Sequence, residues 1–171
     1  MTTVDDIIEA VLQREKQGEP PYLAKNDAGG RTSWGIAERF HPDAWKNGPP
    51  SKEDARRILT MEYAGPFLPL RAAGLSDDVL DCAVDDAVLS GVASAMKRLQ
   101  WTLGVTPDGV LGPQTLAAVR QWNQRALLQR LVVERVTRLC RLVQARPSDL
   151  TNIVGWVVRA LAFLPEEGTG R

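Results

Sequence analysis

Two acidic residues lie close together in the sequence, and their surroundings favour different protonation states. Val4, Ile8 and Val11 recur at helical spacing. Glu15 falls on the same stripe, which should pack into a core. Partial desolvation of a carboxylic acid favours its protonated form, which a general acid must hold near neutral pH. The alternative is that Glu15 frays into solvent at the end of the helix.

The second carboxylate is Asp27, in a loop that also contains Asn26 and Thr32. Hydrogen bonds from these side chains and from free backbone amides can keep Asp27 ionised. One protonated and one ionised carboxyl group are what cleavage of a glycoside through an oxocarbenium-like transition state requires. Gly30 and Gly35 permit backbone angles and close approaches that side chains forbid, although a Gly-Gly turn also occurs in ordinary loops.

Helices are expected to position this segment. Apolar spacing predicts a first helix from a cap at Thr3 to Glu15 or Lys16, and the turn-forming residues of 22–35 predict an ordered loop or small hairpin. No segment alternates with a period of two for long, so the predicted fold class is mainly α. Short helical turns are expected at 36–40, and further helices at 51–64 with a capping box at Ser51, at 77–90 after Ser76, and at 95–103, 114–122, 125–145 and 148–164 with a cap at Ser148.

The segment from Glu15 to Ile36 resembles the signature of the glycoside hydrolase 108 muramidases. In that family a glutamate that ends a helix is followed by glycines and then by Asp-x-Gly-Gly-x-Thr-x-x-Gly-Ile. Asp27-Ala-Gly-Gly-Arg-Thr-Ser-Trp-Gly-Ile36 matches the second half at every defining position. The resemblance implies a lysozyme-like fold in which Glu15 protonates the glycosidic oxygen, Asp27 serves the opposite face of the sugar and Thr32 helps to place a water molecule.

The start of the motif departs from the family pattern. The family usually has Glu-Gly-Gly-Tyr shortly before the aspartate, whereas Glu15 is followed here by Lys-Gln-Gly, and Glu19-Pro-Pro-Tyr22 offers a second frame. Glu15 is the preferred acid because it continues the buried stripe, while Glu19 precedes two prolines. Glu19 stays the alternative acid, and retention of the fold without activity is a further alternative.

Aromatic residues near the motif are candidates for contact with sugar rings. Tyr22 and Trp34, together with Gly30, are the predicted substrate-binding residues, and Trp45 is an additional candidate. Flat aromatic faces pack against apolar sugar faces, while polar edges bond the hydroxyl groups. Core packing is the alternative role for each aromatic side chain.

The second half of the chain carries another resemblance. Leu99-Gln100-x-x-Leu103-Gly104-Val-x-Pro-Asp108-Gly109-Val-Leu-Gly112-Pro113-x-Thr115 looks like the peptidoglycan-binding segment that follows such catalytic parts. Asp-Gly makes a turn and Gly-Pro opens a helix, so the pattern also has a purely structural interpretation.

Two shorter segments resemble the same architecture. Residues 81–91 resemble the helix of the family that carries Val-Asn-x-Gly, but Leu89 replaces the asparagine. Gly155-Trp156-Val-Val-Arg159 resembles a closing Gly-Trp-x-x-Arg element.

Composition excludes several classes of function. The 21 basic and 21 acidic residues leave no net field to attract nucleic acid. Cys82 and Cys140 lack the spacing of a zinc or redox site and are expected to be buried, reduced thiols. No metal or organic cofactor is expected. The apolar run at 153–164 contains Arg159 and is much shorter than the roughly 20 residues that a membrane span needs.

These patterns lead to one functional hypothesis. Residues 1–75 are expected to form a lysozyme-like catalytic part with a small loop or hairpin lobe, and residues 76–171 a helical peptidoglycan-binding-like part packed on it. The predicted reaction is hydrolysis of the β-1,4 bond between N-acetylmuramic acid and N-acetylglucosamine in peptidoglycan glycan strands. A lytic transglycosylase and a non-hydrolytic phage tail or wall-binding component are the alternatives.

The start of the chain carries acids where a signal peptide needs a basic region and an apolar run. Synthesis in the cytoplasm is therefore expected, with action on the cell wall after release by a holin, by a secretion system or within a phage particle.

Overall fold

The computed structural model describes residues 2–15, 22–23 and 30–164, and of residues 22–23 it describes the backbone. The fold is mainly α with a small antiparallel sheet, which confirms the predicted fold class. Its α-helices are α1 (Val4–Arg14), α2 (Lys52–Ile58), α3 (Leu68–Ala72), α4 (Asp77–Ser90), α5 (Val92–Leu103), α6 (Pro113–Val119), α7 (Gln124–Ala145) and α8 (Ile153–Leu161). The chain divides into two compact units, Met1–Pro66 and Phe67–Arg171.

In the first unit, α1 begins as the sequence predicted. Thr3 caps the helix in a capping box: the Asp6 N–H donates to Thr3 Oγ1 at 3.1 Å, and the Thr3 N–H donates to Asp6 Oδ2 at 2.7 Å. Ile7, Ile8, Val11 and Leu12 are buried, so the apolar stripe of α1 faces the core.

The small sheet consists of β1 (Tyr22–Leu23), β2 (Arg31–Ser33) and β3 (Ile36–Ala37) in that order. Thr32 lies on the central strand, opposite Tyr22 on one side and Ala37 on the other. The helical turns expected at 36–40 were wrong for residues 36–37, which pair with β2 instead. A turn does follow, because the N–H groups of Phe40 and His41 both donate to the carbonyl oxygen of Ala37. Trp34 and Gly35 connect the two strands with φ of 53° and 81°, as the two central residues of a type I′ hairpin turn require.

The rest of the first unit follows the hairpin. A 3₁₀ turn spans Pro42–Trp45, and α2 starts at the predicted capping box, where the hydroxyl of Ser51 accepts from the Asp54 N–H. The helix predicted through Ala64 changes its hydrogen-bond pattern after Ile58, and residues Leu59–Ala64 form a π-helical segment.

In the second unit, most predicted boundaries hold within a few residues. Ser76 caps α4, and Gly104 closes α5 in the left-handed conformation with φ of 80°. The prediction for the last helix was wrong at its start. Residues Pro147–Thr151 form a 3₁₀ turn, and α8 begins at Ile153, so Ser148 is not its cap.

The cysteines differ from the sequence prediction in one respect. Both are free thiols, and Cys82 is buried, but Cys140 is exposed on α7. The prediction that both are buried was therefore wrong for Cys140, because this part of α7 turns to solvent, as the exposed neighbour Arg141 does. Burial raises the pKa of Cys82 to about 11.

Candidate functional site

Glu15 ends α1 as its C-cap residue. Its backbone N–H donates to the carbonyl oxygen of Val11 at 3.0 Å, so the chain is still held by the helix at this point. The residue is half-buried and its Oε1 atom is inaccessible to solvent. Glu15 therefore continues the buried side of α1 beyond the end of the helix rather than fraying into water.

The turn between β2 and β3 lies against this side chain. A Cβ atom at position 35 would stand 2.9 Å from Cγ and 3.4 Å from Cδ of Glu15. Gly35 also has a positive φ, so the close approach and the backbone angle that favour glycine coincide at this residue. Gly30 has a φ of 74° with open space where a Cβ would be, so only the backbone angle favours glycine there.

Trp34 precedes Gly35 in the same turn and is half-buried. The Nζ atom of Lys52 lies 5.9 Å from the centre of its ring, and the same atom binds Oε1 of Glu9 at 2.8 Å. Nη2 of Arg56 binds the other carboxylate oxygen of Glu9 at 2.5 Å. An ion cluster of Glu9, Lys52 and Arg56 thus ties α1, α2 and the hairpin turn together within the first unit.

The hydrogen bond from Lys52 is the main reason why the pKa of Glu9 is lower than its ordinary value. Sequence reasoning missed this cluster. The spacing of Lys52 and Arg56 places both on one face of α2, but their partner Glu9 is 43 and 47 residues away in the sequence.

Trp45 belongs to the core of the first unit rather than to a binding surface. It is buried, and its indole Nε1–H donates to the carbonyl oxygen of Ile36 at 3.3 Å. The guanidinium of Arg31 covers its ring at 5.1 Å while pairing with Glu38 at 2.6 Å. These contacts hold β3 and the start of β2, the strand that carries Thr32.

The structure therefore brings some of the predicted site residues together. Glu15 lies next to Gly35 in space, and Trp34 precedes Gly35 in the sequence. Thr32 lies in the strand that leads into the same turn. Asp27, Glu19 and the side chain of Tyr22 lie outside the described residues. Their predicted roles, and the choice between Glu15 and Glu19, stay predictions.

In the second unit, the motif at 99–119 is organised by one buried amide. Nε2 of Gln100 donates to Asp108 Oδ1 at 2.8 Å, to the carbonyl oxygen of Val110 at 2.9 Å and to Thr115 Oγ1 at 3.2 Å. Its Oε1 accepts from the Gly109 N–H at 2.7 Å. Hydrogen bonds from the backbone N–H of Val110 and from Gln100 lower the pKa of Asp108. The Asp-Gly turn is therefore fixed to the end of α5 and the start of α6.

A surface cavity of about 420 Å³ lies beside this turn. Its walls mix apolar groups with groups that can form hydrogen bonds, a composition that suits sugars better than purely apolar ligands. The lining includes Val105, Thr106, Asp108, Val110, Pro113 and Gln114.

The two shorter family-like segments meet through an ion pair. Arg159 of α8 donates from Nη2 to Oδ1 of Asp85 of α4 at 2.8 Å, and Arg135 of α7 donates from Nη2 to Oδ2 at 2.7 Å. Burial disfavours the charge of Asp85, but the hydrogen bonds and charges of the two arginines outweigh it and lower its pKa. Arg159 therefore has a structural role. Leu89, at the end of α4, is exposed.

Within the described ranges, no group of three or more His, Cys, Asp or Glu residues is arranged to hold a metal ion. No helix in the same ranges is both long and apolar enough to cross a bilayer.

Comparisons with known proteins agree with this architecture. Residues 94–161 match the family described as "Predicted Peptidoglycan domain", a range that contains the Gln100 turn, Arg135 and Arg159. The whole chain is similar to the solved structure of SagA from Brucella abortus, with 27% sequence identity, a TM-score of 0.67 and coverage of 94% of both chains. No curated protein matches the chain. The comparisons therefore associate residues 94–161 with peptidoglycan domains and show that the chain shares the fold of SagA.

Proposed function

We propose that the protein is a muramidase similar to glycoside hydrolase family 108, which hydrolyses the β-1,4 bond between N-acetylmuramic acid and N-acetylglucosamine. The observation that carries the proposal is the position of Glu15, whose side chain lies on Gly35 of the family-like motif with one carboxyl oxygen buried. A carboxyl group held at a fixed place beside a turn can act as a general acid.

In the proposed reaction, the carboxyl proton of Glu15 passes to the glycosidic oxygen as the bond from that oxygen to the anomeric carbon breaks. Asp27 accepts a proton from water, and the water oxygen forms the new bond to the anomeric carbon. Thr32, on the central strand, helps to place this water molecule. The second unit holds the chain on the wall, and the cavity beside the Gln100 turn is the candidate contact.

The test compares the wild type with Glu15→Gln, Glu19→Gln and Asp27→Asn on purified peptidoglycan. Turbidity loss and release of muropeptides are measured, and circular dichroism checks the folding of each variant. Glu53→Gln is the matched control, because the side chain of Glu53 is 86% exposed on α2. We expect Glu15→Gln and Asp27→Asn to lose at least roughly a hundredfold in rate, while Glu19→Gln and the control keep the activity of the wild type.

Other outcomes would change the assignment. Loss of activity in Glu19→Gln alone would make Glu19 the acid instead of Glu15. Anhydro-muramic products, detected by mass spectrometry, would indicate a lytic transglycosylase. A folded wild type that binds walls without releasing muropeptides would indicate a wall-binding component.

A further inference from the structure

In the second unit, one buried and three half-buried arginines accompany two buried aspartates. Asp85 and Asp86 are buried on α4. Asp85 is paired with Arg135 and Arg159, and Asp86 accepts from Nε of Arg98 at 2.6 Å. Nε of Arg135 also lies 3.7 Å from Oδ1 of Asp86. A fourth arginine, Arg138, follows Arg135 by one helical turn on α7. We call these six residues the arginine cluster: Asp85, Asp86, Arg98, Arg135, Arg138 and Arg159.

Arg138 is the member of the arginine cluster that lacks an anionic partner. It is half-buried, and within the described part of the chain it forms no hydrogen bond or ion pair, including with Glu134 one turn earlier on α7. Burial and then the positive charge of Arg98 lower the pKa of Arg138, and the charge of Asp86 offsets this only in part. A half-buried cation beside another cation is unfavourable unless an anion joins them.

Arg98 also has hydrogen-bonding capacity left. Its Nε–H is used by Asp86, and Nη2 donates to Ser90 Oγ at 2.8 Å. Among the described residues nothing accepts from its Nη1 atom. Arg98 and Arg138 therefore both have unused N–H donors, and guanidinium groups of this kind recognise carboxylates in a bidentate geometry.

We propose that Arg138, assisted by Arg98, binds a carboxylate of the peptidoglycan stem peptide. This inference rests on the proposed function, since it takes the cell wall as the ligand. Both arginines lie within residues 94–161, which match the peptidoglycan domain family. Stem peptides carry free carboxylates, whereas N-acetylglucosamine polymers carry none, so this contact would distinguish peptidoglycan from an uncharged glycan.

The test uses the full chain with Glu15→Gln, so that the probe is not consumed. Its affinity for a purified disaccharide-tripeptide is measured by isothermal titration calorimetry, beside the same muropeptide with amidated carboxyl groups. Arg138→Gln is the test variant. Arg125→Gln is the matched control, because Arg125 is an exposed arginine on the same helix, about 20 Å away along its axis.

We expect Arg138→Gln and amidation each to weaken binding roughly tenfold or more, and the two together to add little, because both remove the same contact. Arg125→Gln should bind as the parent does. Circular dichroism should show that Arg138→Gln is folded, because it removes a charge without a partner in the described part of the chain.

An affinity of Arg138→Gln within twofold of the parent would overturn the inference, and so would equal binding of the amidated probe. Arg138-dependent binding of inorganic phosphate without preference for the muropeptide would also refute the stem-peptide assignment. Wall hydrolysis by the protein with native Glu15 is measured separately. If this protein does not hydrolyse walls but Arg138-dependent binding is observed, the muramidase proposal is rejected and the stem-peptide inference is kept.

Discussion

The side chain of Glu15 lies so close to Gly35 that a Cβ atom at position 35 would be 2.9 Å from its Cγ atom. This contact joins the end of α1 to the turn between β2 and β3. Because Gly35 also has a φ of 81°, two separate physical reasons favour glycine at the same residue. The position of the proposed acid is thus coupled to the shape of the hairpin.

Gly35→Ala should therefore displace Glu15 as well as strain the turn. We expect muropeptide release to fall roughly tenfold or more, because small displacements of a catalytic group are costly. Gly48→Ala is the matched control, since Gly48 has a φ of 109° but open space where a Cβ atom would stand. It should lose roughly 1 kcal/mol of stability and keep its activity. Equal activity of the two variants after correction for folding would contradict the coupling.

Lys52 should support the hairpin turn through Trp34. Lys52→Ala removes the ammonium group over the Trp34 ring and one partner of Glu9. We expect the rate of wall hydrolysis to fall about two- to fivefold and the fluorescence of Trp34 to change. Lys46→Ala, at a lysine whose side chain is 72% exposed, is the comparison and should alter neither measurement. An unchanged spectrum for Lys52→Ala would mean that the contact does not position the ring.

Gln100 should be the residue on which the Asp-Gly turn depends most. Gln100→Ala removes four hydrogen bonds at a buried position, so we expect a loss of roughly 2–4 kcal/mol in unfolding free energy. Wall binding in a pelleting assay should weaken in the same variant. Gln121→Ala changes an exposed glutamine and should leave both properties intact. Stability equal to that of the wild type would show that the turn is held by other contacts.

The ion pairs should make stability depend on acidic pH. The pKa values of Asp85 and Glu9 are lower in the folded protein than their ordinary values. Such groups stabilise the fold above their ordinary pKa, near 4, and this contribution is lost as the pH falls through the lowered folded value. Urea unfolding should give constant stability from about pH 7 to 5 and a decline towards pH 3.

Asp85→Asn is the corresponding variant for the second unit. It leaves Arg135 and Arg159 without their shared carboxylate, so we expect a loss of roughly 3–5 kcal/mol at neutral pH and a shallower acid decline. Asp43→Asn, at an exposed ion pair, should unfold at the wild-type temperature. An acid decline of Asp85→Asn as steep as that of the wild type would assign the pH dependence to other groups.

The sequence by itself determined the features that depend on neighbouring residues. The caps at Thr3, Ser51 and Ser76 and the left-handed end of α5 at Gly104 follow from hydrogen bonds and backbone angles within a few residues, and the structure confirms each. The same local reasoning failed at Ile36, where pairing with β2 made a strand of a predicted helical turn.

The tertiary structure alone decided which of these elements meet. Glu15 lies against Gly35 although many residues separate them, Glu9 binds Lys52 at a separation of 43 residues, and Asp85 binds Arg159 at a separation of 74 residues. Helical periodicity tells which side of an element is apolar, but it does not tell which polar group of another element will face it. That choice depends on how whole helices pack. The ion cluster of Glu9, Lys52 and Arg56 and the surroundings of Arg138 therefore became visible only in the folded chain.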